Sequence, residues 1–275
     1  MRIDLHTHSN ASDGQYSPKE LVELVNKENI DLFSLTDHDT ISGLYEAESV
    51  AEELGIQFIH GIEISSQDSE EIHILGYNID FYNNELKRIC DLYSEERDNR
   101  GEKICFYLKE KGIDVDYSEV KEYAKEGVVG RPHFARYLIE HKVVNNRNEA
   151  FQKYLDTPEF KLKTDRKKPL PREAIDLIHY AGGEAVLAHP GLYHMDDVRK
   201  KALIKKLSIY GLDGVECFYS RHSREETELY LSWIREFDIK TTCGSDFHGE
   251  KVKSDICLGM EYNVKKYQDL LLIDI

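Results

Sequence analysis

Seven short apolar or alternating runs punctuate this sequence, and six of them carry a histidine, aspartate or glutamate at or beside their ends. The runs are Ile3–Leu5, Leu32–Leu35, Ile56–Ile64, Ile72–Ile79, Ala185–Ala188, Gly214–Phe218 and Lys240–Cys243. Their lengths suit strands, and helix-like segments follow them with recognisable start signals. In Ser17-Pro18-Lys19-Glu20, for example, an N-cap serine is followed by proline at the first helical position and by glutamate three residues after the cap. Alternation of strand and helix predicts an α/β fold with a largely parallel sheet. Chemistry gathered at strand ends predicts a barrel whose site lies at the C-terminal face of its strands.

Between the fourth and fifth runs the pattern changes. Residues 85–170 read as helices only, over Glu85–Gly112, Ser118–Glu126, Arg131–His141 and Asn148–Leu155. This stretch is expected to be an inserted helical subdomain, with residues 1–84 and 171–275 forming the barrel. It closes on the basic, proline-bounded segment Lys161–Pro171, a charge run that reads equally well as a solvated loop. The chain's net charge of −16 is unevenly spread: residues 85–170 hold 19 Lys+Arg against 17 Asp+Glu, and the remainder 17 against 35. An acidic chain repels phosphate on average, so phosphate recognition requires local cations or metals.

With 275 residues, 40% of them hydrophobic, the chain can bury a substantial core. No stretch approaches the roughly 20 apolar residues of a membrane span, and Met1-Arg2-Ile3-Asp4 leaves no room for a signal peptide, so a cytoplasmic protein without membrane association is expected. The five cysteines, Cys90, Cys105, Cys217, Cys243 and Cys257, are odd in number and lack any C-x-x-C, which predicts reduced core residues. Neither G-x-x-x-x-G-K-[ST] nor G-x-G-x-x-G occurs, so a nucleotide would be substrate rather than held cofactor.

His6 and His8, at i and i+2 after the first run, are expected on one face, and Asp13 in Ser12-Asp13-Gly14 could fold back over them. The second run leads into Thr36-Asp37-His38-Asp39, the third holds Glu63 between Ile62 and Ile64, and the fourth contains His73. A buried, unpaired Glu63 would cost several kcal/mol, so it needs a cation. His189 follows the fifth run, and Asp246 and His248 follow the seventh. Nine candidate ligands exceed the roughly three that one catalytic zinc takes, which points to three ions bridged by Glu63. Mixed imidazole and carboxylate donors suit Mn, Fe or Zn better than Ca or Mg.

Taken as a set, H-x-H, the aspartate five residues later, T-D-H-D, G-x-E-x-S, the strand histidine, A-H-P-G and G-S-D-F-H-G resemble the PHP (polymerase and histidinol phosphatase) family, over residues 3–249. The resemblance implies a distorted (β/α)7 barrel with a trinuclear metal centre. It implies His6, His8, Glu63 and Asp246 around one ion, Asp13, His38 and His248 around a second, and Glu63, His73 and His189 around a third. Asp37 would support these ligands from behind, and His60 would be a neighbour of the site. Hydrolysis would then use water activated by the metals, with no protein nucleophile.

The insert motif Gly130-Arg131-Pro132-His133 and the later Arg221-His222 resemble the branch of 3′,5′-nucleotide bisphosphate phosphatases and 5′→3′ exoribonucleases similar to ribonuclease AM. This implies a 3′,5′-bisphosphonucleotide or a short 5′-phosphorylated RNA as substrate, with no protein partner. Arg131 and His133, helped by Arg221 and His222, would read the 5′-phosphate. Competing readings are a small-metabolite phosphatase, such as a histidinol-phosphate phosphatase, and a non-catalytic metal-binding module. No catalytic motif is recognised beyond about residue 250.

Overall fold

The structure, a computed structural model, describes residues 1–124 and 127–273. Glu126, the expected end of the second insert helix, and residues 274 and 275 at the end of the barrel range lie outside the described residues. Seven strands occur where the apolar runs predict them: β1 (Arg2–Asp4), β2 (Leu32–Leu35), β3 (Gln57–Gln67), β4 (Glu71–Tyr77), β5 (Glu184–Leu187), β6 (Gly214–Tyr219) and β7 (Lys240–Gly244). Barrel helices α1 (Pro18–Lys27), α2 (Leu44–Leu54), α8 (Pro171–Tyr180), α9 (Asp197–Ile209) and α10 (Arg224–Phe237) cover the sheet. Helix α1 starts as its sequence predicts, with the Ser17 hydroxyl accepting from the Glu20 amide and the Glu20 carboxylate from the Ser17 amide. Its inner face buries Leu21, Val22 and Val25 against the sheet.

The strands follow one another in chain order, β1 to β7, and β7 returns to the neighbourhood of β1. There the Leu5 amide donates to the Cys243 carbonyl at 3.0 Å, and Thr7 forms an isolated parallel bridge with Phe247, which brings the ring close to closure. Two departures from the expected largely parallel sheet matter for the site. β4 runs antiparallel to both β3 and β5, because only residues 68–70 join it to β3, and a parallel crossover needs a dozen or more. An eighth, two-residue strand, β8 (Met260–Glu261), pairs antiparallel with β1 outside the ring.

The insert is helical: α3 (Asn84–Glu110), α4 (Tyr117–Ala124), α5 (Arg131–Glu140), α6 (Arg147–Ala150) running into a π-helical turn at Phe151–Leu155, and α7 (Pro158–Lys163), which was not expected. Two apolar cores form. The larger fills the barrel, and the smaller joins Ile104, Leu108, Val120, Phe134, Leu138, Leu155 and Phe160 within the insert. Helix α3 serves both, because Leu86 and Cys90 in its first turns pack on the barrel and Ile104, Cys105, Tyr107 and Leu108 pack in the insert. All five cysteines are free, but Cys257 is exposed rather than in the core, since it lies on the surface segment after β7. No helix among the described residues is long and apolar enough to cross a membrane.

Candidate metal centre and its cleft

Positioning begins at the β1–β7 seam. β1 ends at Asp4, so His6 and His8 lie on an extended stretch beyond the strand. Between them Thr7 faces β2, its amide donating to Thr36 Oγ1 and its hydroxyl to the Ser34 carbonyl, and the two imidazoles therefore turn inward together. Gly244 permits this approach, since a Cβ there would lie 2.3 Å from the Cβ of His6. Three further residues of the rim, Asp39, His189 and Asp246, have positive φ values of 57°, 29° and 62°. Non-glycine residues rarely adopt such conformations, which concentrate where function fixes a side chain's direction.

All nine expected ligands converge. Glu63 is fully buried, with its Oε1 2.8 Å from His73 Nδ1 and 3.0 Å from His189 Nε2. Its Oε2 lies 3.0 Å from His38 Nδ1, 3.1 Å from His8 Nε2 and 3.2 Å from His6 Nε2. Asp246 Oδ1 is 3.4 Å from His8 Nε2, and Asp13 Oδ1 is 3.2 Å from His248 Nε2. His73 reaches this rim from near the start of its strand rather than from its end, because β4 runs opposite to its neighbours.

Donor atoms within 4.8 Å of one another form four overlapping groups: His8, Asp13, His38 and His248; His6, His8 and Asp246; His6, Glu63 and His189; and His38, Glu63 and His73. Glu63 Oε2, Asp13 Oδ1 and His38 Nδ1 are buried without a hydrogen-bond partner. Buried polar atoms are rarely left so. Convergent lone pairs on imidazoles and carboxylates are what a borderline divalent metal requires, and the cluster is fitted to bind metal.

Carboxylates behind the cluster hold it in place. Glu216 of β6 contacts His6 Nδ1 at 2.9 Å through one oxygen and accepts from the His189 amide at 2.8 Å through the other. Sequence reasoning missed it, although Val215-Glu216-Cys217 carries the same signal as Glu63, a carboxylate inside an apolar strand. Asp37 accepts from the Ser9 amide and from the Ser9 and Ser12 hydroxyls, bracing the loop that carries Asp13. Asp4 accepts from Ser245 and the Gly259 amide behind β7. Burial pushes both of these carboxyls up to about 6.

Asp39 Oδ2 accepts from Arg97 Nε at 2.8 Å and from Arg166 Nη2 at 2.6 Å, which docks the insert onto the rim. Burial alone would raise its pKa, but the two guanidiniums hold the carboxyl below the usual range. His60, expected beside the site, turns away and pairs with Glu48 of α2 at 2.7 Å.

A cleft of about 170 Å³ opens against Asp13, His38, His73 and His248, and its other walls carry Arg97, Arg100, Arg131, Arg147, Arg166 and Lys253. Of the four residues expected to read phosphate, Arg131 lines it, held only loosely by Asp156 at 3.5 Å and Glu71 at 3.8 Å. His133 is buried behind it, its Nδ1 accepting from the Gly130 amide at the start of α5. Arg221 and His222 are not brought to this cleft. Arg221 pairs with Asp255 at the surface, and His222 is bound at both ring nitrogens, to the Cys217 carbonyl and the Gly191 amide.

Lys253, 2.6 Å from Asp246 Oδ2, shows that the chain beyond residue 250 contributes to the site after all. Arg166 belongs to the basic loop that read equally well as solvated. Arg97, Arg100 and Arg147 had no local mark, because a surface helix carries arginines everywhere.

The comparisons with known proteins agree with this geometry. A 5′-3′ exoribonuclease of Haemophilus influenzae is 37% identical over 248 residues, 90% of each chain. A 3′,5′-nucleoside bisphosphate phosphatase of Chromobacterium violaceum is 32% identical over 248 residues, 90% of this chain and 87% of its own. A solved structure from Chromobacterium violaceum, described as an amidohydrolase with bound sulfate and no metal, superposes with a TM-score of 0.88 at 30% identity, covering 96% of this chain and 92% of its own. The PHP domain matches residues 4–157, which include six of the nine clustered ligands and most of the insert, and the chain belongs to the PHP domain family.

Proposed function

We propose that this protein is a metal-dependent phosphoesterase that hydrolyses 3′,5′-bisphosphonucleotides and removes nucleotides from the 5′ end of short 5′-phosphorylated RNA. The observation that carries the reading is the juxtaposition of a nine-donor cluster with a cationic cleft in a chain of net charge −16. A nucleotide whose scissile phosphate meets the cluster has its second phosphate one nucleotide away, and Arg131 and Arg100, which line the same cleft as His38, His73 and His248, would receive it. The names of the two relatives, one an exoribonuclease and one a bisphosphate phosphatase, support the same substrate class.

Three divalent ions, Mn, Fe or Zn, fit the donor set. His6, His8, Glu63 and Asp246 would hold one, Asp13, His38 and His248 a second, and Glu63, His73 and His189 a third. Glu63 turns Oε1 toward His73 and His189 and Oε2 toward His6, His8 and His38, so its two oxygens could serve more than one ion. Such ions supply activation of water at neutral pH and charge neutralisation at phosphoryl oxygens. The chain's own groups do the rest. Glu216 fixes the direction of His6, Asp37 holds the Asp13 loop, and Arg131 binds the terminal phosphate through its planar fork.

The test compares 3′-phosphoadenosine 5′-phosphate, a 5′-phosphorylated RNA dinucleotide and histidinol phosphate with Mn²⁺. The first two should be hydrolysed, and cleavage of histidinol phosphate alone would promote the small-metabolite reading. Arg131→Ala should cost about 1.5–3 kcal/mol in kcat/KM on substrates with a 5′-phosphate and little on a simple aryl phosphate. Equal losses on both would end its assignment as phosphate reader.

A further inference from the structure

The cleft beside the cluster has a neighbour at Arg147. Asp13, Pro132 and Arg147 also line a second cavity of about 600 Å³, bounded by the loop after β1 at Asn10, Gly14 and Gln15, by α5 and Tyr123, and by Lys251 and Val252. The two cavities share these three residues as a common wall. Within the first, Phe151 separates two cationic ends. The Arg131 guanidinium lies 5.9 Å from its ring centroid, and that of Arg147 lies 5.3 Å from it. Arg131 faces Glu71 on the His73 side, whereas Arg147 donates to the Val252 carbonyl on the side of the second cavity.

We propose that this second cavity is the seat of the RNA chain on the 3′ side of the scissile phosphate. The inference rests on the function proposed above and gives it a direction. With the terminal phosphate on Arg131 and the scissile phosphate at the cluster, the following nucleotides pass Asp13 and Arg147 into the groove. When water's oxygen joins phosphorus, the P–O3′ bond breaks, the proton goes to O3′, and the phosphate stays on the trailing chain. That chain, now bearing a new 5′-phosphate, is still held.

The groove has the chemistry of a single-strand track. Arg136 lies over the Tyr123 ring at 4.7 Å, and both are tied to Glu140, at 2.8 and 2.9 Å. This fixes a flat guanidinium whose side chain is still 60% exposed, a surface on which a base can stack. Glu140 neutralises Arg136, so phosphate attraction falls to others. Lys251 is exposed, and neither it nor Arg147 has a carboxylate partner among the described residues. Two cations without a paired carboxylate, Arg147 feeling Asp13 and Asp255 only from farther off, suit a polyanion in so acidic a chain.

The experiment measures kcat/KM on 5′-phosphorylated RNA of two to six nucleotides and on 3′-phosphoadenosine 5′-phosphate, for the native chain, Lys251→Glu and Arg136→Ala. In the native protein kcat/KM should rise about 10-fold between the dinucleotide and the tetranucleotide. Each variant should lose most of that rise while hydrolysing the bisphosphonucleotide within twofold of native. A flat length dependence with intact bisphosphonucleotide hydrolysis overturns the groove but leaves the proposed function standing. Equal losses on all substrates also overturn it, by making these residues supports of the fold. If the native chain cleaves none of these substrates, the function itself falls and the groove with it.

Discussion

Thr36-Asp37-His38-Asp39 shows three consecutive polar side chains with three separate tasks. His38 faces the cluster, Asp37 braces the Asp13 loop from behind, and Asp39 anchors two arginines of the insert. The last task was invisible in the sequence because its partners lie 58 and 127 residues away. Asp39→Asn leaves Arg97 and Arg166 as buried, uncompensated charges, and denaturant unfolding should show a loss of about 3–5 kcal/mol. A loss below 1 kcal/mol would mean that solvent already screens the triad. His222 gives the pH counterpart. Burial holds its pKa below the ordinary value while its ring ties the Pro190–Leu192 turn to β6. A depressed histidine contributes stability that is fully present above about pH 6.5 and is lost as pH falls through its folded value. The stability advantage of native protein over His222→Gln should therefore shrink between pH 7.5 and 5.5. An advantage constant across that range would contradict the linkage.

Elements were legible where periodicity and chemistry coincide. All seven ring strands lie at predicted runs, and the nine side chains that cluster were singled out because acidic or imidazole groups beside apolar residues conflict with burial unless a cation resolves it. The direction of β4 was not read, although the seven residues between the third and fourth runs were already too few for a crossover helix. The arginines of α3 were not legible for a different reason: which face of a long polar helix meets the rim is decided by docking, not by local pattern. The tight seam between β1 and β7 yields its own prediction. In Gly244→Ala the new Cβ would stand 2.3 Å from His6 Cβ and 2.7 Å from Glu216 Oε1, so the strand must retreat from the cluster. Overpacking of this kind costs about 1–3 kcal/mol. Metal content should fall with it, because His6 is the group displaced. Retention of full metal content in a well-folded variant would show that the seam yields elsewhere.

For the molecule as a whole, the acidity concentrated outside the insert and the convergence of three buried carboxylates on one rim pose the same electrostatic problem. Glu63, Asp13 and Asp246 are held among imidazoles, with Glu63 Oε2 and Asp13 Oδ1 unpartnered. Without cations these oxygens would be buried and unsatisfied, each at a cost of about 1–3 kcal/mol. Metal binding should therefore act as a fold-stabilising ligand as well as a catalytic one. Any ion that binds only the native state contributes RT ln(1 + [L]/Kd), about 4 kcal/mol at a thousandfold excess over Kd. Tm shifts by roughly 2–4 °C per kcal/mol in domains approaching this size, so stripping even one such ion should lower Tm by about 8–16 °C. The insert core, built from Ile104 to Phe160 away from the rim, should be less affected than the barrel. Protein purified without chelator should carry two to three transition-metal ions by elemental analysis. Chelation should remove them and lower Tm, and Mn²⁺ should restore both Tm and phosphoesterase activity. If chelation demonstrably empties the protein and Tm does not move, the nine donors satisfy one another by sharing protons, and the cluster's burial would have to be explained without metal.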